Sequence, residues 1–358
     1  MKEKSQFEKN ASDKQVELLS GALNGAVSAG GHWLNATGKG YPKFYPKGVA
    51  VSPFNALFMA LHSDKTGSKT NLFTLYSEAK ARGESVREHE KGVPFLFYNW
   101  NKYVNRNNPN DIISRNDYQQ LPPEEKNRYK GIHNREIRTL FTIDQTLLPL
   151  VDKNVYETLV QKHGNSVEQG FGEKELRELR PRFNAFVQAI SKNMVPVRTD
   201  GSGVAHYDSQ KDAVYIPRQK DFEHYTDYAQ ETLRQIIAAT GHQQRLAREG
   251  MVMKNGVPPT EDAVKQEHLI SEIASGIKML EMGLPARLSD ENIKMVDYWS
   301  RELKENPCLI DAIESDVNNA LEVIRKAERG EKIEYATYRN HRQTERMQEQ
   351  MPKHFFVA

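Results

Sequence analysis

Residues 232 to 246 read TLRQIIAATGHQQRL, and further along the chain EHLISE carries Glu267, His268 and Glu272. Imidazoles and carboxylates are the groups that ligate a divalent metal or move protons, so His242, Glu267, His268 and Glu272 are the first candidates for chemistry. Their spacing argues against a shared ion. On a helix of 3.6 residues per turn, Glu267 and Glu272 lie about one and a third turns apart, and His268, the direct neighbour of Glu267, points elsewhere. His242 is expected to cap or pack at a helix end. Arg234 has two readings: its guanidinium could take an anion such as a phosphate or a partner's carboxylate, or it could pair internally with Glu267 or Glu272. An unpaired buried charge is costly, which favours the internal pair.

A second set lies at the front of the chain. The stretch KGYPKFYPKG interleaves Lys39, Lys43 and Lys47 with Tyr41, Phe44 and Tyr45. Single-stranded nucleic acid is held by cations along its backbone and rings under its bases, so this composition suits that partner. The plainer reading is a proline-rich loop whose rings are buried and whose lysines are solvated. Arg87 and Lys91 are candidates for phosphate contacts, and Tyr98 and Trp100 for stacking, although aromatic residues in strands more often belong to the core. Glu90 and Asp144 lack a matched acid or base nearby in sequence and are read as structural, holding a turn and a strand through hydrogen bonds.

The elements that position these groups follow from periodicity. Val16, Leu19, Leu23 and Val27 have helical spacing behind Asp13, a cap candidate, and Gly30-Gly31 closes that helix. A loop dense in Gly, Pro and aromatics leads to a helix near residues 54–62, and TLYSEAKARG predicts another, stopped by Gly83. SVREHEKGVPFLFYNW reads as strand, turn at Lys91-Gly92, strand, and RTLFTIDQT as a further strand. The polar, Asn-rich stretch between them is expected to be an insertion at the sheet's edge, with a short helix starting at Pro122-Pro123. In the back half, VAHYDSQKDAVYIP predicts a hairpin, followed by helices at about 225–248, 261–282, 289–304 and 308–328.

Composition bounds the rest. At 358 residues, with 38% hydrophobic and 27% charged residues, the chain is long enough for two domains with ordinary cores. No window approaches the roughly 18 apolar residues of a membrane span, so no membrane partner is expected. MKEKSQFEKN lacks an apolar signal region, and the single cysteine, Cys308, excludes an internal disulfide and a Cys-rich zinc site; both suit the cytoplasm. Residues 1–150 hold 21 Lys and Arg against 15 Asp and Glu, and the remainder 29 against 33. A front half that meets a polyanion fits that split.

The segments SEAKARGESVREHEKGVPFLF and RTLFTIDQT together resemble the N-terminal single-stranded-DNA-binding domain of ArdC-type antirestriction proteins, shared with some plasmid primases. There a helix leads to a G-x-x-V-R-x-G-E-K-G turn and later to a V-F-N-x-D-Q-T strand. Gly83, Val86, Arg87, Glu90, Lys91, Gly92, Phe141, Asp144, Gln145 and Thr146 stand at the family positions, and His89 replaces the usual glycine. The Asn-rich insertion is similar to that of Bacteroidetes mobile-element members. Where the family has Y-R-G-x-N before its helix, this chain has YPKGVAVSPFN.

The back half resembles the zincin-like metallopeptidase domain that follows in the same family. AHYDSQKDAVYIP, RQIIAATGHQQRL and EHLISE stand in order for A-x-Y-x-x-x-x-D-x-I-x-L-P, H-E-L-A-H-W-T-G-H-x-x-R-L and E-E-L-V-A-E. A zincin helix needs two His four apart, so that both imidazoles face Zn²⁺, and a Glu beside the first to deprotonate the bound water. The resemblance places Arg234 at the first His, Gln235 at the Glu and Ala238 at the second His, with Glu267 and Glu272 at family glutamates, one of them a third ligand. A guanidinium stays protonated, alanine has no lone pair and glutamine is no general base. The metal site is therefore expected to be abolished and zinc lost. Leu233, Ile236 and Ile237 keep an apolar face, and Thr240, Gly241, His242, Arg245 and Leu246 the family's helix exit.

The expected fold class is α+β: an α+β single-stranded-DNA-binding domain over 1–150, a linker with connecting helices over 151–194, a mainly helical degenerate zincin-like domain with a small hairpin over 195–330, and a charged tail over 331–358. The expected function is that of an antirestriction-type accessory protein of a mobile or conjugative element, catalytically dead, that binds single-stranded DNA through Lys39, Tyr41, Lys43, Tyr45, Lys47, Arg87, Lys91 and Trp100. Two other readings stay open: an active metallopeptidase with other ligands, and an interaction module whose cleft around Arg234 grips a host defence or conjugation protein.

Overall fold

The computed structural model describes residues 6–34, 39–164, 173–201, 203–253 and 255–335, without the side chains of 7, 98–101, 133–135 and 173–176. The first helix, α1 (Gln6–Ser28), puts Val16, Leu19, Leu23 and Ala26 on one buried face. It begins before Asp13, which is thus interior and not its cap, and Val27 is 51% exposed because Ala26 takes the buried position. Gly30 and Gly31 follow at φ 62° and 88°, the left-handed backbone that ends a helix most cheaply on glycine. After β1 (His32–Leu34), β2 (Lys43–Phe44) and β3 (Val49–Ala50) comes α2 (Pro53–Lys65), buried nearly all round, with proline at its first position where no N–H is needed.

The front sheet adds β4 (Leu72–Leu75), β5 (Val93–Asn105), β6 (Asn108–Ser114) and β7 (Tyr129–Thr142), in the order β3-β2-β4-β7-β5-β6. Only the β2–β4 pair is parallel. The helix predicted from TLYSEAKARG is α3 (Tyr76–Ala81). The strand expected before Lys91-Gly92 does not form. Residues 83–92 turn instead, with Val86 alone bridging Thr146, His89 at φ 64°, and the Arg87 N–H donating to the Gln145 carbonyl at 3.0 Å. Gly92 is needed at the end of this turn: a Cβ there would lie 2.4 Å from the Leu140 carbonyl. The Asn-rich insertion is at the sheet's edge, where β5 and β7 run on past the core, β6 pairs on β5, and α4 (Arg115–Gln120) and α5 (Pro123–Lys126) close the arm.

Then follow α6 (Leu148–Val151), α7 (Lys153–His163) and α8 (Glu173–Asn193), whose Phe183, Phe186 and Ile190 are buried beside Tyr225. The predicted hairpin is β9 (His206–Asp208) with β10 (Ala213–Ile216), joined in parallel by β8 (Val197–Thr199). Four helical regions follow: α9 (Tyr225–Thr240), α10 (Glu261–Met282), then after β11 (Ala286–Arg287) the pair α11 (Asp290–Ile293) and α12 (Val296–Glu305), and α13 (Leu309–Arg329). The helix expected over 225–248 thus stops at Thr240, and that over 289–304 is broken in two. The tail beyond residue 335 lies outside the described residues.

The halves share one core. β1 pairs antiparallel with β11, α1 packs on α12, and α2 packs on α10 and α13. One apolar cluster runs from Leu19, Trp33 and Phe58 to Ile237, Ile273 and Leu321.

Candidate functional site

Helix α9 buries Leu233, Ile236 and Ile237 completely, and this fixes where the opposite residues of the turn point. Arg234 is turned inward onto α10, where its Nε donates to Glu272 Oε2 at 2.7 Å and its Nη2 to Glu272 Oε1 at 3.3 Å. Its remaining N–H groups meet the Glu231 carboxylate and the Arg287 carbonyl of β11. Glu272 is fully buried and takes three more donors: Trp33 Nε1 at 3.0 Å, Asn292 Nδ2 at 2.7 Å and, more weakly, Gln230 Nε2 at 3.4 Å. Burial penalises the Arg234 cation, but the Glu272 and Glu231 carboxylates more than offset this and hold its pKa above the ordinary arginine value. Burial likewise pushes the Glu231 carboxyl up, against the pull of Arg234.

Glu267, the other candidate carboxylate, is held by a second guanidinium. Arg248 donates Nε to Glu267 Oε2 at 2.8 Å and Nη2 to Oε1 at 2.6 Å, a bidentate pair in which the arginine is 1% exposed and the glutamate 5%. The same arginine donates to Thr240 Oγ1 and to the Ile237 carbonyl, while Arg245 donates to the Ala239 carbonyl at 2.7 Å and clasps Asp212. Two arginines thus take the last carbonyls of α9, which a continuing helix would have used, and this ends the helix at Thr240. His242 packs edge-on against Tyr207 and accepts from the Gln244 N–H at 3.3 Å, as expected of a residue at a helix end. Gln235 and Ala238 are half-buried on the outer side of α9.

This donor set does not fit a metal ion. Where two imidazoles would stand, there is a guanidinium without a lone pair and a methyl group; of the two glutamates that could complete the set, Glu272 is engaged by four side-chain donors and Glu267 by the Arg248 fork. No group of three or more His, Cys, Asp or Glu side chains converges among the described residues. Arg248, Trp33, Gln230 and Asn292 were not singled out from sequence. The available signal was a second carboxylate, Glu267, that needed its own cation, in a helix exit carrying Arg245 and Arg248.

At the front, the candidate residues separate. Lys39 Nζ pairs with Asp64 at 3.1 Å with its side chain 10% exposed, and the Tyr41 hydroxyl donates to the Val51 carbonyl with its ring packed on the core, so neither is open to a ligand. Burial raises the Tyr41 phenol far above its ordinary pKa. Tyr45 lies under the Arg82 guanidinium, 4.8 Å from the ring centroid, and donates to Glu84 at 3.3 Å. Lys43, Lys47 and Lys91 have no ion-pair partner among the described residues. Arg87 donates Nη2 to Glu90 Oε1 at 2.6 Å while 46% exposed. The Trp100 and Tyr98 side chains lie outside the description.

Glu90 and Asp144 act structurally. Gln145 Nε2 donates to Glu90 at 2.9 Å and to the Lys91 carbonyl, and its Oε1 accepts from the Thr142 N–H and faces His62 Nε2 at 3.2 Å. Asp144 accepts from the Lys69 N–H, Thr70 and Tyr156. Gln145 thus staples the turn to the end of β7, and Asp144 ties that end to Lys69, Thr70 and Tyr156.

Residues 17–141 match the N-terminal domain of the anti-restriction factor ArdC, and residues 181–314 match the zincin-like metallopeptidase family MPTase-PolyVal. Among solved structures, the chain is similar to the antirestriction protein ArdC from plasmid R388. Its metal-free form is 20% identical, with a TM-score of 0.58 over 89% of this chain and 99% of that one. Its Mn(II)-bound form is 19% identical, with a TM-score of 0.58 over 87% and 97%. No curated protein matches. Both domains that make up ArdC-type proteins are thus matched in order on this one chain, and its fold as a whole is similar to that of ArdC.

Proposed function

We propose that this chain is an antirestriction accessory protein of a mobile or conjugative element, acting in the cytoplasm, that holds single-stranded DNA through its front half and whose zincin-like domain neither binds a metal nor cuts peptides. The observation that carries the second part is the Arg234–Glu272 pair. A dication at this place would have to displace a permanently charged guanidinium from a fully buried carboxylate and would find no imidazole in return. The domain serves instead as a packed half of the molecule. No helix among the described residues is long and apolar enough to cross a membrane.

The first part is supported by the match of the front half to the ArdC N-terminal domain and by Lys43, Lys47 and Lys91, which have no ion-pair partner among the described residues. The test is fluorescence anisotropy with a labelled single-stranded oligonucleotide and its duplex at low and moderate salt. Preferential binding of the single strand that weakens steeply with salt supports the reading; equal binding of both, or none, removes it. For the second part, elemental analysis and a peptide-hydrolysis assay with added Zn²⁺ or Mn²⁺ should show neither stoichiometric metal nor turnover. Stoichiometric metal would restore the peptidase reading.

A further inference from the structure

Strands β5 and β7 do not end where the core ends. Beyond the shift in register between Asn99 and Lys102, they continue as a ladder from Lys102–Ile132 to Asn105–Tyr129, with β6 added on the outer edge. At about 3.3 Å per residue, 13-residue β5 spans roughly 40 Å, so the distal part stands out as an arm. Its far end is closed by the Arg106 N–H donating to the Arg128 carbonyl at 2.7 Å.

The arm carries Lys102, Arg106, Arg115, Arg128 and Lys130, all exposed, and among the described residues none of these side chains has a hydrogen bond or ion pair. Two of the carboxylates that could neutralise them are already engaged. Asp111 accepts from Tyr129 at 2.7 Å and from Asn105 at 2.9 Å, and Asp117 closes the capping box with Ser114 at the start of α4. Glu124 and Glu125 lie in the first turn of α5, where the helix dipole favours them. Aromatic groups are likewise engaged: Tyr103 stacks on Tyr118 at 3.7 Å on the face covered by α4. Directly paired residues share a face, so Lys102 and Ile132, Val104 and Lys130, and Ile112 across from Val104 lie together on the opposite side. Ile112 on that side is 50% exposed.

We infer that the exposed cations along this face, whose centre at Val104 is buried and whose edge at Ile112 is 50% exposed, and those at the tip of the arm grip the phosphate backbone of single-stranded DNA, extending the binding surface outward from the front domain. The inference rests on the single-strand reading above and adds where the contacts are. Along the face, the cations Lys102 and Lys130 alternate with Val104, Ile112 and Ile132. Such a surface reads repeated backbone charge and not base identity.

The experiment compares the full-length protein with a Lys102→Gln/Arg106→Gln/Arg115→Gln/Arg128→Gln/Lys130→Gln variant, and with a milder Lys102→Gln/Lys130→Gln variant in case the first does not fold, using labelled single-stranded and duplex oligonucleotides over a salt series. None of the five side chains makes a hydrogen bond or ion pair among the described residues, so the circular dichroism spectrum should not change. Affinity for the single strand should fall at least tenfold, and the slope of log K against log salt should become shallower by roughly 3, since each lost phosphate contact on a single strand removes about 0.7. Wild-type binding with the variant's affinity and slope unchanged overturns the arm while leaving single-strand binding intact. A wild type that binds no DNA overturns both, and a loss confined to the duplex overturns the single-strand assignment of this surface.

Discussion

Arg234 and Glu272 face each other across the α9–α10 interface with two N–H···O contacts, at the place where the resemblance to zincins puts a histidine and a carboxylate. Both partners are charged, both are buried, and every remaining polar atom of the pair is satisfied by Glu231, the Arg287 carbonyl, Trp33, Gln230 or Asn292. A fixed cation on the chain thus does the bridging that a bound ion would do, and it cannot be chelated away.

Removing one partner should be far worse than removing both. Arg234→Met leaves Glu272 buried without its cation and should destabilise the protein by about 3–5 kcal/mol, whereas Arg234→Met/Glu272→Leu should recover much of that. Urea unfolding of the singles and the double gives the coupling; a double mutant as unstable as the sum of the singles contradicts the pairing.

Stability should not respond to metal. Since the donor set does not fit a dication, melting curves of the wild type with EDTA, Zn²⁺ or Mn²⁺ should superimpose, because a ligand that does not bind the native state cannot stabilise it.

Acid should weaken the front domain before the carboxylates titrate. Burial holds the His62 imidazole below its ordinary value, so the native state favours neutral His62 while the unfolded chain titrates near pH 6.5. The resulting stability is complete above that pH and is lost as pH falls from about 6.5 toward the folded value. His163 is lowered in the same sense, also by burial. The difference in melting temperature between wild type and His62→Gln, followed from pH 7.5 to 5, isolates the His62 share and should narrow on acidification.

Gly276 should tolerate no side chain. A Cβ there would lie 2.4 Å from Cζ2 of Trp33, so Gly276→Ala has to push the indole off the donor position it holds to Glu272. A loss of about 1–3 kcal/mol is expected, read by thermal unfolding and by a change in tryptophan emission.

The sequence made the back half legible because its helices are long and periodic: α10 and α13 lie almost where the apolar spacing put them. It misplaced the end of α9 because Arg245 and Arg248 act on backbone carbonyls by folding back, and no periodicity records that. The strand expected at Ser85–Glu90 was carried by the aromatic-rich VPFLFYNW that follows it; the turn there is imposed by Gln145, a residue far away in sequence, bonding Glu90 and Lys91. At the candidate centre, the pairing of Arg234 with a glutamate of α10 followed from the cost of buried charge. Its four-donor surround was not visible, because Trp33 and Asn292 reach Glu272 from opposite ends of the chain. Among the front cations, the sequence could not tell Lys39, tied to Asp64, from Lys47, which is open.

The β1–β11 ladder and the Trp33–Gly276 contact carry a consequence for how such a chain can evolve. Families built from two modules commonly exchange one of them by recombination, which requires that the joint carry few specific contacts. Here the joint is a strand pair, a ring seated on a bare glycine and a hydrogen bond to the buried Glu272 carboxylate. A crossover between the halves would take the Trp33 donor from Glu272 and uncover Gly276 in one step. The two halves of this chain are therefore fitted to each other residue by residue, and the Arg234–Glu272 centre is part of that fit.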